Sequence, residues 1–132
     1  PSKVGPVDEQ TNARLIQRFY DIGVSPDWWK LEPMQSDAAW SATVAAIEAN
    51  DPHTRGIVVL GLGQGEDELA ASFRLAAHYP LVRGFAVGRT IFANAAAEWM
   101  AGWMDDRAAV QDMAENFRRL CAIWDAARGE AQ

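Results

Sequence analysis

The chain has 132 residues, about half of them apolar, which is enough to enclose the core of one small domain. Its net charge of -6 argues against nucleic-acid binding, which needs a basic face, and against binding to anionic membranes. One cysteine, Cys121, rules out a disulfide framework; no apolar run approaches a membrane span, and Pro1 to Gln10 lack the apolar centre of a signal peptide. The chain is therefore read as cytoplasmic and soluble. It opens on proline rather than methionine, so it is expected to be processed or cut from something longer.

From Asp8 onward, helical periodicity alternates with short apolar runs. Leu15, Ile16, Phe19 and Tyr20 lie on one helical face; Gly23 ends that helix and Pro26 prevents its return. The run Trp28-Trp29-Lys30-Leu31-Glu32, stopped by Pro33, is the first predicted strand. Trp40, Val44 and Ile47, at i, i+4 and i+7, predict a second amphipathic helix, closed by Asn50-Asp51-Pro52. Gly56-Ile57-Val58-Val59-Leu60-Gly61 is the clearest strand: β-branched, uncharged and apolar on both faces, as a buried parallel strand should be. The loop Gly61-Leu62-Gly63-Gln64-Gly65 leads into a third helix with Leu69, Phe73 and Ala76 inward, stopped by Tyr79-Pro80. Gly84-Phe85-Ala86-Val87-Gly88 is the third predicted strand, followed by a helical segment around Ala93–Met100. The last helix opens at Asp105-Asp106, where carboxylates suit the N-terminal dipole. It is expected to bury Val110, Met113, Phe117, Leu120, Cys121 and Trp124.

Strands joined through helices run parallel and cross over right-handedly. The unit recurs roughly every 30 residues, the pitch expected when about 250 residues make eight βα units. Three such strands with helices on one side leave a bare apolar face and two unpaired edges. A closed barrel removes both, but this chain has too few strands to close. A doubly wound sheet, with helices on both faces, normally needs more strands, so the predicted fold is α/β, part of a (β/α)8 barrel. The open side is covered by the remaining strands or by another copy of the chain.

Two places are suited to chemistry. Alternate residues of a strand share a face, so Trp28, Lys30 and Glu32 point one way while Trp29 and Leu31 point the other. If the latter pack on helices, Lys30 and Glu32 face the mouth of the barrel, where barrel active sites lie. The alternative for Lys30 is a rim lysine snorkelling from a strand end. The second place is the pair of glycine-rich turns, Gly61, Gly63 and Gly65 after one strand and Gly88-Arg89 after the next. Glycines let backbone N–H groups approach a phosphate, a helix N-terminus adds partial positive charge, and Arg89 adds a bidentate pair. The alternative is ordinary turns, with Arg89 paired to a carboxylate.

Four strings carry a family resemblance: Pro1-Ser2-Lys3-Val4-Gly5-Pro6-Val7-Asp8, Asp27-Trp28-Trp29-Lys30-Leu31-Glu32-Pro33, Arg55-Gly56-Ile57-Val58-Val59-Leu60-Gly61-Leu62, and Gly84-Phe85-Ala86-Val87-Gly88-Arg89-Thr90-Ile91-Phe92. Together they resemble the aldolase-like domain fused behind the kinase in bacterial 5-dehydro-2-deoxygluconokinases of myo-inositol breakdown. That domain is in turn similar to the tagatose-bisphosphate aldolase family of class I barrels. The resemblance spans nearly the whole chain and the back part of the family's domain, which implies the C-terminal part of a TIM (β/α)8 barrel with the three strands as the sixth, seventh and eighth.

It implies that Lys30 forms a Schiff base with a keto sugar phosphate, that Glu32 assists proton transfer, and that Gly61, Gly63, Gly88 and Arg89 hold the phosphate. The amine must be neutral to attack, and a neighbouring Glu32 opposes this unless a cation offsets it or the carboxylate shuttles protons. The implied substrate is 6-phospho-5-dehydro-2-deoxygluconate, cleaved to dihydroxyacetone phosphate and malonate semialdehyde. No metal or cofactor is required, because the iminium is the electron sink. A fused kinase is the implied partner, and a non-catalytic sugar-phosphate-binding or scaffolding module of that kinase is the alternative function. Some relatives carry a serine in the loop after the seventh strand; here that loop has none.

The remaining candidates read as structural. Lys3 lies near the mouth and either contacts an anionic substrate or is a loose terminal residue. His53 and His78 are far apart, no spacing suggests a metal, and Cys121 belongs to the last helix's apolar stripe. Trp28 is placed to line the floor of the site. Ser2, Ser36, Ser41 and Ser72 lie in no nucleophile-elbow pattern.

Overall fold

A computed structural model describes residues 7–61 and 65–131. The first helix, α1 (Thr11–Asp21), is introduced by Asp8, whose carboxylate accepts from the Gln10 N–H at 2.9 Å and from Arg14 at 2.9 Å. It ends as predicted: Gly23 adopts φ 84° while the N–H groups of Gly23 and Val24 bond back to the carbonyls of Tyr20 and Phe19. That reciprocal pair is the Schellman closure, and its left-handed residue favours glycine.

Strand β1 (Trp28–Leu31) follows, then α2 (Asp37–Asn50), capped by the Ser36 hydroxyl accepting from the Ala39 N–H. Strand β2 (Gly56–Leu60), α3 (Glu66–Ala77), β3 (Val82–Ala86), α4 (Arg89–Met100) and α5 (Asp106–Glu130) complete the order. Asp105 caps α5 by accepting from the Ala108 N–H at 2.7 Å. The molecule is thus a mixed α/β unit with five helices and one three-stranded sheet, ordered β1-β2-β3, among the described residues.

Both strand pairs are parallel, and the register aligns Lys30 with Val58 and Val58 with Gly84. The helices cover one sheet face. Trp29, Leu31, Ile57 and Val59 point into it and join Ile16, Trp40, Ile47, Leu69, Phe73, Leu120 and Trp124 in the core. Phe85 belongs to the same layer, stacked on Phe73 at 5.2 Å between ring centroids, with Trp124 edge-on to Phe73 at 5.4 Å. No helix among the described residues is long and apolar enough to cross a membrane.

Three expectations change. The first strand stops at Leu31, one residue before Glu32, where Pro33 has no N–H to continue a ladder. The third strand runs Val82–Ala86 instead of 84–88. Its start is drawn back by a tight turn in which the Val82 N–H bonds to the Tyr79 carbonyl. Its end is cut short because the Gly88 carbonyl already accepts from Ile91 and Phe92, so α4 begins at Arg89 rather than near Ala93.

The predicted stripe of α5 is only partly buried. Leu120 and Trp124 are inside, Met113 and Cys121 are half-buried, and Val110 and Phe117 are 67% and 49% exposed. Helix α5 packs on α3 and α4; Val110 borders an apolar groove with Trp99 and Met100 of α4, and the Phe117 ring lies 6.2 Å from that of Phe85.

Candidate functional site

The pleat of β1 decides where Lys30 goes. Trp29 is anchored on the helix side by its indole N–H, which donates to the Tyr20 hydroxyl at 3.0 Å, and by edge contacts with Phe19 and Tyr20. With Trp29 and Leu31 buried, Trp28 and Lys30 stand on the opposite, open face. Lys30, Val58 and Gly84 form one row across that face, and Leu60 and Ala86 form the next row toward the strand ends.

At these carboxyl ends lies a cavity of about 240 Å3, lined by Lys30, Leu60, Gly61, Ala86, Val87, Gly88, Arg89, Thr90 and Phe92. Four of the predicted site residues, Lys30, Gly61, Gly88 and Arg89, therefore meet in one place although 59 positions separate the first from the last. Gly63 and Lys3 fall outside the described residues. Glu32 is not brought into this cavity: it lines a neighbouring recess with Asp8, Thr11, Asn12 and Ser36. Trp28 shares the face of Lys30 but does not line the cavity.

The cavity carries two basic side chains, one hydroxyl and no carboxylate or imidazole among its described lining residues. None of the ion pairs among the described residues, Arg14–Asp8, Arg55–Asp27 and Arg119–Glu66, involves Lys30 or Arg89. Gly88 is the N-cap of α4 and offers no side-chain cap, so the first-turn N–H groups of Arg89 and Thr90 have no partner within the helix. These N–H groups and the two cations make the cavity suited to an anion. Thr90, which the sequence reading passed over, adds a hydroxyl beside Arg89; the only signal for it was its place directly after Gly88-Arg89.

The glycines have steric reasons as well. A β-carbon on Gly61 would lie 2.8 Å from Val87 Cγ1, and one on Gly88 would lie 3.2 Å from Phe92 Cε1. The remaining titratable candidates lie elsewhere. His53 borders a recess with Asp27, Asn50 and Asp51, and the His78 ring nitrogen sits 2.7 Å from the Arg74 carbonyl at the end of α3. No group of three or more His, Cys, Asp or Glu suited to a metal occurs among the described residues.

Fold and site together define a parallel α/β unit with a cationic, glycine-edged cavity at the carboxyl ends of its strands. The chain belongs to the bacterial family described as "uncharacterized protein conserved in bacteria" (DUF2090), whose model matches residues 1–128. No curated protein and no solved structure matches it.

Proposed function

We propose that this cavity binds a phosphorylated keto sugar acid and cleaves it through an imine on Lys30, and that the three strands are the sixth to eighth of a class I aldolase-like (β/α)8 barrel. The observation that carries the reading is the meeting of Lys30 with Gly61, Gly88 and Arg89 around one cavity at the carboxyl ends of parallel strands. Barrel active sites lie at that end, and barrel phosphate sites follow the last two strands. Strand order supports the barrel part. Sequential parallel strands with right-handed crossovers place their connecting helices on one face, which is the single winding of a barrel.

In the proposed reaction the neutral Lys30 amine adds to the ketone carbon, and loss of water leaves an iminium. The bond between the α-carbon and the hydroxyl-bearing β-carbon then breaks. Its electron pair moves toward the iminium nitrogen as an enamine, while the β-hydroxyl loses its proton to a base and becomes an aldehyde. Protonation of the enamine carbon and hydrolysis release the second ketone and regenerate Lys30. Arg89, Thr90 and the first-turn N–H groups of α4 hold the phosphate. With 6-phospho-5-dehydro-2-deoxygluconate the products are dihydroxyacetone phosphate and malonate semialdehyde.

The test is borohydride reduction in the presence of dihydroxyacetone phosphate, followed by intact and peptide mass. An adduct on Lys30, lost in Lys30→Ala, is the expected result. An adduct missing both here and in a chain extended by the front strands sinks Lys30 as the nucleophile.

One observation favours a second reading, a non-catalytic sugar-phosphate-binding module serving a fused kinase: no carboxylate or imidazole lines the cavity among the described residues. Under it, Lys30→Ala keeps ligand binding; under the aldolase reading, the same variant loses turnover.

A further inference from the structure

We infer that Asn116 and Arg119 of α5 are positioning residues that hold the first turn of α4, which carries Arg89 and Thr90 at the cavity, in place against α5 and the start of α3. This role presupposes that the cavity is an anion site, as proposed above. The Asn116 side-chain amide donates to the Ile91 carbonyl, in the first turn of α4, at 2.9 Å, and to Asp112 at 3.0 Å. Its amide oxygen accepts from the Arg119 guanidinium. Arg119 Nε donates in turn to Glu66, the first residue of α3, at 3.3 Å. A polar chain thus runs from Ile91 through Asn116 and Arg119 to Glu66, tying the start of α4 to the start of α3 across α5.

Asp112, Asn116 and Arg119 fall at i, i+4 and i+7, so they share one face of α5. Of the two helix starts they join, that of α4 supplies Arg89 and Thr90 to the cavity, and that of α3 is the anchor. An anion held by the first turn of α4 needs Arg89 and Thr90 at positions that match its oxygens, and positions fixed before binding cost nothing when the ligand arrives. The Arg119 and Glu66 side chains are 55% and 49% exposed. Ion pairs so exposed add little to stability, so removing this one should leave the fold intact.

The test uses the whole chain. Binding of inorganic phosphate is measured by calorimetry. Trapping on Lys30 is measured with dihydroxyacetone phosphate and with dihydroxyacetone, which lacks the phosphate. Asn116→Ala and Arg119→Ala are each expected to weaken phosphate binding about three- to tenfold, the effect of losing one hydrogen bond's worth of positioning. Trapping with dihydroxyacetone phosphate falls by a similar factor, while trapping with dihydroxyacetone holds. Arg119→Lys, which keeps the charge facing Glu66 but loses the fork, falls between. Arg119 is half exposed, so its variants keep the test decisive if Asn116→Ala fails to fold.

Unchanged phosphate binding in the variants, or equal loss of trapping with both ketones, overturns the positioning role. If the wild-type chain binds phosphate but traps neither ketone, the imine reading falls and the phosphate measurement alone decides: weaker binding by the variants supports positioning, and equal binding overturns it. If the wild-type chain binds no phosphate, the anion site and the positioning role fall together.

Discussion

A β-carbon on Gly61 would lie 2.8 Å and 3.0 Å from the two γ-methyl carbons of Val87. The sequence offers one reason for a glycine there, close approach of a phosphate to the backbone, and the structure adds a second, close approach of the side chain just past the end of β3. The two are separable. Gly61→Ala is expected to lower stability by about 1–3 kcal/mol through overpacking. Adding Val87→Ala should relieve the clash, so that the double variant is more stable than the sum of the single effects, as read from urea midpoints in a double-mutant cycle. An additive cycle would show that the clash is not what the substitution costs. Lys30 illustrates the opposite case: its direction was legible because alternation along a strand is local, and burying Trp29 and Leu31 leaves it only the open face.

Helices α2 and α3 are linked at the level of elements by Tyr79, at the end of α3. Its hydroxyl donates to the Asp37 carboxylate at 2.6 Å and also to the Asp37 carbonyl at 2.9 Å, and its ring stacks on the buried Trp40 at 6.1 Å. Burial first, then the bond to Asp37 and its charge, push the phenol up from an ordinary 10 to about 12. Because the folded value is raised, Tyr79 contributes stability that is complete below pH 10 and is lost as pH climbs from 10 to about 12. The stability gap between the wild-type chain and Tyr79→Phe should therefore shrink across that window, measured by urea unfolding at a series of pH values. A constant gap would mean that the phenol ionises alike in the folded and unfolded chains. The two helices are thus joined by a contact 42 residues apart in sequence, which no local pattern announces.

At the scale of the whole molecule, the sheet has one covered face and one open face. Trp28 is 46% exposed on the open side, beside Lys30. A sheet face left this bare, with two edge strands, favours association. The chain is expected to show a mass in sedimentation that rises with concentration, and Trp28→Glu should lower that mass. A compact monomer at every concentration would show that water alone satisfies this face. The proposed barrel makes a matching claim: a chain extended by the front strands should be monomeric where this one associates.

The sequence by itself determined the order of helices and strands, the helix ends at Gly23 and Asp105, and that Trp29 and Lys30 face opposite ways. These follow from periodicity, capping and pleat, which act within a few residues. It also nominated Lys30, Gly61, Gly88 and Arg89, which the fold then places around one cavity. Only the tertiary structure decided the rest. Glu32 goes to a separate recess because the strand ends before it; Val110 is left on an open groove beside α4, and Phe117 is only partly covered by Phe85; the link from Ile91 to Glu66 exists because α5 crosses two helix starts. Each of these depends on which elements become neighbours. That is settled by packing between distant parts of the chain, and a local pattern carries no record of it.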